Sequence, residues 1–371
     1  MAYKSIDELQ TLLSSNVFGN RQDSKKAAGR ALGTFIETIM FYLLRQWKEC
    51  DALAIERPLA EYGRSEITHN VEFTLHPILH KYAQTSVSKE TPLTARNIAS
   101  KIGLKDGCRL LNNKLINKGV LQNGCVIGDD EQSMVLAGLD NDRGKTVKFH
   151  ATTLSKHAYA MIECKRVGKE GDAKGPQTIE KAKQGAYVAK TTSSLQKIRN
   201  DRGELDGVCY VDGKACVGPY EQMLNQIIYG DNLGLLKDFT LSIGVVSNHG
   251  NWFSSDNMNK ELKVLAQSYD WLLFLTDEGL SQFITDLLLA PQREYSPVRN
   301  AFISSYGGSS SNVFTKKKMD LNAHYALCNY FDDRITEIED WFNVISPKGS
   351  SLQGLKSVLE TLRNKRWEDI L

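Results

Sequence analysis

The sequence has no C-x-x-C pair among its 7 cysteines, an odd number, which argues against both a zinc ribbon and a disulfide scaffold. No apolar run reaches the ~18–20 residues of a membrane helix. The opening Met1-Ala-Tyr-Lys-Ser-Ile-Asp-Glu-Leu-Gln10 has no apolar stretch that could serve as a signal peptide. The expectation is a reduced, cytoplasmic protein with no membrane association. Gly307-Gly308-Ser-Ser-Ser lacks the Lys and Ser/Thr spacing of a phosphate-binding loop. No helicase or ATPase motif occurs either, which argues against a nucleotide cofactor and for a self-contained protein. Internal repeats are absent. What remains is an ordinary globular composition, 41% hydrophobic and 24% charged, in 371 residues: two domains or one large one.

Net charge is small, 46 Lys and Arg against 44 Asp and Glu, but it is unevenly spread. Between Arg143 and Gly203 there are 14 basic residues against 5 acidic ones, and between Thr91 and Gln122 there are 6 against 1. From Asn329 to Leu371 the balance reverses, 6 against 8. Two basic central segments in a nearly neutral chain suggest a localised surface for a polyanion, although solvated helix faces would read the same way.

Periodicity divides the chain into four parts. Residues 1–90 read as a helical N-terminal region, with a helix-period stripe from Lys25 to Trp47. Glu56, Glu61, Glu66 and Glu72 fall in a stretch that reads as helix up to Pro77. Residues 91–127 read as a winged helix-turn-helix. Thr94 to Gly103 forms one helix and Lys105 to Lys118 a second, capped by Gly119. Asn123-Gly124 then turns a hairpin. The second helix would carry Lys105, Arg109, Asn112, Asn113 and Lys114, side chains suited to base edges and phosphates; a plain helical hairpin is the alternative. Residues 128–290 alternate strands and helices. The strands are Ser133–Leu139, Thr146–Thr152 and Tyr159–Val167, then a hairpin turning at Asp212-Gly213, and apolar strands near Phe239–Ser247 and Trp271–Thr276. A long helix is expected from Gln177 to Ile198 and a shorter one at Lys260–Tyr269. Residues 291–371 read as a basic loop at 303–318 followed by helix.

Chemistry concentrates in Met161-Ile-Glu-Cys-Lys-Arg166. Alternation puts Glu163 and Lys165 on one face of a strand, with Ala158, Ala160, Ile162 and Cys164 on the other. A carboxylate and an ammonium inside an apolar strand are costly unless paired or functional. Asp140 lies upstream in Gly-Leu-Asp, with Asp142 close behind, and either could join Glu163 in holding a hard divalent cation such as Mg²⁺. Such an ion activates water and stabilises charge developing on a phosphodiester, and a neighbouring lysine positions or deprotonates that water.

These residues resemble the PD-(D/E)XK nuclease superfamily, in the branch of type II restriction endonucleases. The matching residues are Asp140 or Asp142, Glu163 and Lys165, with Leu139 where the pattern has Pro. The order of helix, three strands, helix and two further apolar strands also matches. Gln184-Gly-Ala-Tyr187 is similar to the Gln…Tyr signature of the RecB-like and lambda-exonuclease-like branch, with one residue fewer between. The resemblance implies an α/β restriction-endonuclease-like core, a central mixed sheet flanked by helices, here with an embedded winged helix-turn-helix-like segment and helical termini. It implies a Mg²⁺ centre built from Asp140 or Asp142 with Glu163, with Glu66 or Glu72 approaching from the preceding helix. Lys165 and Gln184 would act beside it, and Lys181 and Lys183 would face phosphate. The activity expected is Mg²⁺-dependent, site-specific cleavage of double-stranded DNA, by a homodimer because one site per chain must cut two strands. Two alternatives are a structure- or end-directed repair or recombination nuclease, and a non-catalytic winged-helix regulator.

Overall fold

The protein is described from a computed structural model, covering residues 6–18, 24–57, 70–88, 90–104, 107–140, 146–166, 183–230, 232–247, 254–258, 260–306 and 312–371. Helices α1 (Ile6–Asn16) and α2 (Ser24–Gln46) open the chain, and strands β1 (Leu53–Arg57) and β2 (Val71–Leu75) follow. A long excursion then carries β3 (Ile78–Lys81), β4 (Thr85–Ser88), α3 (Ala95–Ile102), β5 (Arg109–Leu110), β6 (Ile116–Asn117), β7 (Val120–Gln122), β8 (Cys125–Asp129), β9 (Ser133–Leu139) and β10 (Thr146–Ser155). The chain returns as β11 (Ala160–Arg166), then α4 (Gln184–Thr192) and the strands β12 (Gln196–Arg199), β13 (Leu205–Val211) and β14 (Lys214–Pro219). Next come α5 (Tyr220–Tyr229), α6 (Leu233–Lys237), β15 (Leu241–Ser247), α7 (Lys260–Ser268), β16 (Trp271–Leu275) and α8 (Asp277–Ile284). The last elements are α9 (Ser296–Tyr306), β17 (Lys318–Asp320), α10 (Leu321–Glu339), β18 (Phe342–Ser346) and α11 (Leu352–Arg363).

The architecture is mixed α/β. A six-stranded sheet runs β1-β2-β11-β15-β16-β18. Its first three strands are antiparallel, β11, β15 and β16 are parallel, and β18 closes the far edge antiparallel. The parallel strands are buried on both faces, which explains their near-continuous apolar runs. On one face Ala160, Ile162, Cys164, Ile243 and Val245 join the cluster containing Phe35, Ile36 and Ile39 of α2. On the other, Met161 meets Val188 and Ala189 of α4, while Val246 and Phe274 meet Leu265 of α7. Among the described residues only Ala27–Gln46, within α2, is long and apolar enough to cross a membrane, and 72% of it is buried inside the molecule as a core helix.

The excursion between β2 and β11 builds a second, antiparallel sheet, β3-β10-β9-β8-β5, with β4 also on β10. It has its own core of Leu93, Ile98, Leu115, Ile127, Val135 and Phe149. The first half of the winged-helix expectation holds. Thr94 caps α3 by accepting the Asn97 N–H, and Gly103 ends it in the left-handed conformation. The second half does not. There is no helix over the described part of 105–118, so Arg109, Asn112, Asn113 and Lys114 do not share a reading helix; Lys105 lies outside the described residues. Long-range backbone partners win over local ones. Leu111 N–H donates to Ile127 O, Leu115 N–H to Leu93 O and Gln122 N–H to Leu115 O. The hairpin is also one turn earlier than expected. Lys118 and Gly119, both at positive φ, link β6 to β7 as a two-residue primed turn, whereas Asn123-Gly124 passes the chain from one sheet to another.

Other expectations shift for related reasons. The Glu-bearing stretch before Pro77 is not helix but, where described, the strand pair β1 and β2. The long helix spans only Gln184–Thr192 in the described residues; the Gln196 side chain donates to Lys190 O and Ser193 O at its end, and β12 begins at Gln196. The hairpin at Asp212-Gly213 and the apolar strands β15 and β16 stand as read. The C-terminal helical region is broken by β18, which joins the main sheet. Residues 312–318 are not simply a basic loop, because Phe314 and Lys316 are buried.

Candidate active site

Glu163 and Lys165 lie in the half of β11 that extends past its pairing with β2. That pairing ends at Ile162↔Phe73, and Glu72 stands next in register. There the Glu72 side chain takes over from the backbone ladder: its Oε2 accepts the Cys164 N–H at 2.7 Å, while the Glu72 N–H donates to Glu163 Oε2 at 3.4 Å. On the other flank Glu163 pairs with Gly244 of β15. A Cβ at Gly244 would come 2.7 Å from the Tyr269 ring, so glycine is what lets that ring pack against β15 beside Glu163.

Two carboxylates from adjacent strands therefore converge on one ammonium. Lys165 Nζ is 2.5 Å from Glu163 Oε1 and 3.2 Å from Glu72 Oε1. Glu163 is 1% exposed and Glu72 6%. A second ammonium, Lys316 Nζ, lies 3.7 Å from the same Glu72 oxygen, 3.1 Å from Glu37 of α2 and 3.2 Å from Glu56 of β1. Burial, with the Glu37 and Glu163 carboxylates close by, pushes Glu72 up to about 8; Lys316 and Lys165 pull against this. Burial alone would lower Lys165, but Glu72 and Glu163 outweigh it and hold the ammonium above its usual range. Glu37, Glu56, Glu72 and Glu163 thus gather around the Lys165 and Lys316 ammonium groups, with Glu72 biased towards its protonated form.

Among the described residues no group of three or more His, Cys, Asp or Glu side chains stands as a ready metal-binding set. The carboxylates gather around ammonium groups instead. The donor set nevertheless fits a hard cation. Oxygens of Glu72 and Glu163 already converge on one positive centre, and a divalent ion there would favour the ionised form of Glu72 that burial opposes.

Asp140 is placed in a different sheet from Glu163. Asp140 ends β9 in the second sheet, where its Oδ1 is 2.7 Å from His150 Nδ1 and its Oδ2 accepts from Gln84 at 2.6 Å. His150 Nε2 is 3.1 Å from Asp51, just before β1, so the imidazole ties the second sheet to the first. A Cβ at Gly138 would come within 2.3 Å of His150 Nε2, which is why glycine stands there. Burial would lower the His150 pKa, but its hydrogen bond to Asp140 and its close contact with Asp51 raise it to about 9, while the His150 imidazole lowers Asp51 to about 2. A raised histidine stabilises the fold fully below its unfolded value of ~6.5 and loses that contribution as pH climbs through about 9. Between pH 6 and pH 9.5 the protein should lose about 3 kcal/mol more stability than His150→Ala, read by urea denaturation at both pH values. Equal losses would mean that the imidazole is not charged in the fold.

The other sequence candidates scatter. Asp142, Glu66, Lys105 and Lys181 lie outside the described residues, as does the Gln184 side chain, although Gln184 opens α4. Lys183 precedes that helix. Arg109 forks onto Asp129 of the neighbouring strand, Nε to Oδ1 at 3.1 Å and Nη2 to Oδ2 at 3.0 Å. Asn113 donates to Val126 O at 2.7 Å, and Asn112 and Lys114 are exposed. Glu37, Glu56 and Lys316 were not singled out from the sequence. Of the three, Glu56 carries a sequence signal only as part of the stretch that reads as helix.

Comparison of the chain with protein-family models, curated proteins and solved structures gives no match.

Proposed function

We propose that this chain is a Mg²⁺-dependent endonuclease of double-stranded DNA, related to the PD-(D/E)XK enzymes of type II restriction, with Glu72 in the role of the upstream acid. The observation that carries this reading is the convergence of Glu72 and Glu163, from adjacent strands, on Lys165. The element order supports it. The helix α2 precedes three antiparallel strands, β1, β2 and β11, which carry Glu72 and Glu163-x-Lys165, and α4, β15, α7 and β16 follow. The second sheet is then an insertion between the two acid-bearing strands. The upstream acid is glutamate rather than aspartate, one methylene longer.

Glu72 and Glu163 would hold the ion. Bound there, Mg²⁺ would supply positive charge to the scissile phosphate and acidify the attacking water. Lys165 is kept protonated by its two carboxylates, so it serves as a hydrogen-bond donor and a positive charge, not as the base. It orients the water and offsets charge developing on the phosphate oxygens. The basic excess between Arg143 and Gly203, in which Lys183 and Lys190 flank and enter α4, supplies sequence-independent attraction for the DNA backbone. Cutting both strands with one site per chain calls for two copies, a homodimer. Closed circular duplex DNA tests the reading: it should be cut in Mg²⁺ and left intact in EDTA. Binding without cutting in Mg²⁺ would leave a non-catalytic DNA-binding protein.

A further inference from the structure

Lys316 reaches the acidic cluster from a segment 244 positions after Glu72 in sequence, and backbone and side-chain hydrogen bonds hold it there. Asn123 of the inserted unit pins its backbone: the side-chain amide donates to Lys316 O and the backbone N–H to Lys317 O, both at 2.9 Å. Thr315 and Lys318 close a tight turn around it, with Thr315 N–H donating to Lys318 O at 2.8 Å. β17 then continues as an added strand on β7. The ammonium thus sits at a fixed point, with only 5% of the side chain exposed.

Three carboxylates from three elements surround that point: Glu37 of α2, Glu56 of β1 and Glu72 of β2, at 3.1, 3.2 and 3.7 Å. A buried ammonium needs compensation, but one or two carboxylates suffice for a structural pair. Glu56 joins at the cost of a left-handed backbone, φ 49°, inside a strand, a conformation strained for a non-glycine residue and typical of functional sites. Most telling, the Glu72 oxygen that Lys316 faces is the one that Lys165 also contacts. One carboxylate oxygen bridging two positive centres is the arrangement by which paired metal ions share a ligand.

We propose that Lys316 is a built-in second cation: its ammonium fills the place of a second divalent ion, so that the centre takes up one ion only. The proposal rests on the metal-dependent reading of Glu72 and Glu163, and adds that the neighbouring acidic set is closed to metal by the protein's own side chain. Removing the Lys316 charge would leave the Glu37, Glu56 and Glu72 oxygens around its position without the cation they share.

Counting bound Mn²⁺ on the full chain, by equilibrium dialysis and by the electron paramagnetic resonance of free Mn²⁺, tests this. The unaltered protein should hold one ion and Lys316→Met one more, while Lys316→Arg, which keeps the charge, should gain none. No gain in folded Lys316→Met, or two ions on the unaltered protein, would overturn the proposal. Should Lys316→Met fail to fold, Glu37→Gln decides. Glu37 faces the ammonium and not the ion, so that variant should keep its one Mn²⁺, and loss of the ion would overturn the proposal. An unaltered protein with no Mn²⁺ counts against the metal reading of Glu72 and Glu163, whereas a gain on Lys316→Met still measures Lys316 by itself.

Discussion

Lys165→Ala should slow Mg²⁺-dependent DNA cleavage by at least ~10²–10³-fold while duplex binding stays close to that of the unaltered protein. The lysine is not a surface contact. Its ammonium lies between two buried carboxylates on the strand that carries Glu163, and those carboxylates hold it charged. On the proposed reading, a preorganised positive charge at that point would act where negative charge grows during phosphodiester hydrolysis, so its removal would fall on the chemical step. Removing it also leaves Glu72 and Glu163 facing each other, so the variant should be less stable without metal and regain part of the loss in Mg²⁺. Single-turnover cleavage, filter binding in Ca²⁺ and thermal unfolding with and without Mg²⁺ separate these effects. A folded Lys165→Ala protein that cuts at nearly the original rate would remove Lys165 from the site.

The second large effect separates Glu72 from Asp140. Glu72→Gln should reduce cleavage by ~10²-fold or more, because it removes a ligand charge while its amide carbonyl can still accept the Cys164 N–H that the carboxylate now takes. Asp140→Asn should leave cleavage within a few-fold of the unaltered protein. Its cost falls on stability, ~1–3 kcal/mol, because His150 loses a charged hydrogen-bond partner in a partly buried cluster. Rates at saturating Mg²⁺ beside urea midpoints show which property each substitution touches. The reverse pattern, an inactive Asp140→Asn and an active Glu72→Gln, would return the metal to the second sheet.

Glu163 and Lys165 are legible in the sequence because a charged pair interrupts an apolar strand with period two, which calls for pairing or function. Glu72 carries the same signal in Val71-Glu-Phe-Thr-Leu75, but the stretch before it was read as helix, which hid the alternation. Asp140 stands out in the sequence because the apolar strand Met134–Leu139 runs straight into it. The antiparallel sheet inserted between β2 and β11 places Asp140 in that second sheet, whereas Glu72, further away in sequence, lies on the strand beside Glu163. The absent second helix has a similar origin. Leu110 pairs with Gly128 in the second sheet and Ile116 with Leu121 in a separate short hairpin, so the segment serves two sheets in short extended pieces. Lys316 gave no local sign at all: in Lys316-Lys-Lys318 one lysine is buried among carboxylates and its neighbours are not, and only the fold distinguishes them.

The central claim is that Glu72, Glu163 and Lys165 form a metal-dependent centre that cuts DNA internally. Digestion of a long, covalently closed duplex in Mg²⁺, followed by mapping of the fragment ends, tests it most directly. The account predicts discrete ends that share one recognition sequence and vanish in EDTA and in Glu163→Gln. A circle left intact, with degradation confined to linear ends or absent altogether, would contradict it.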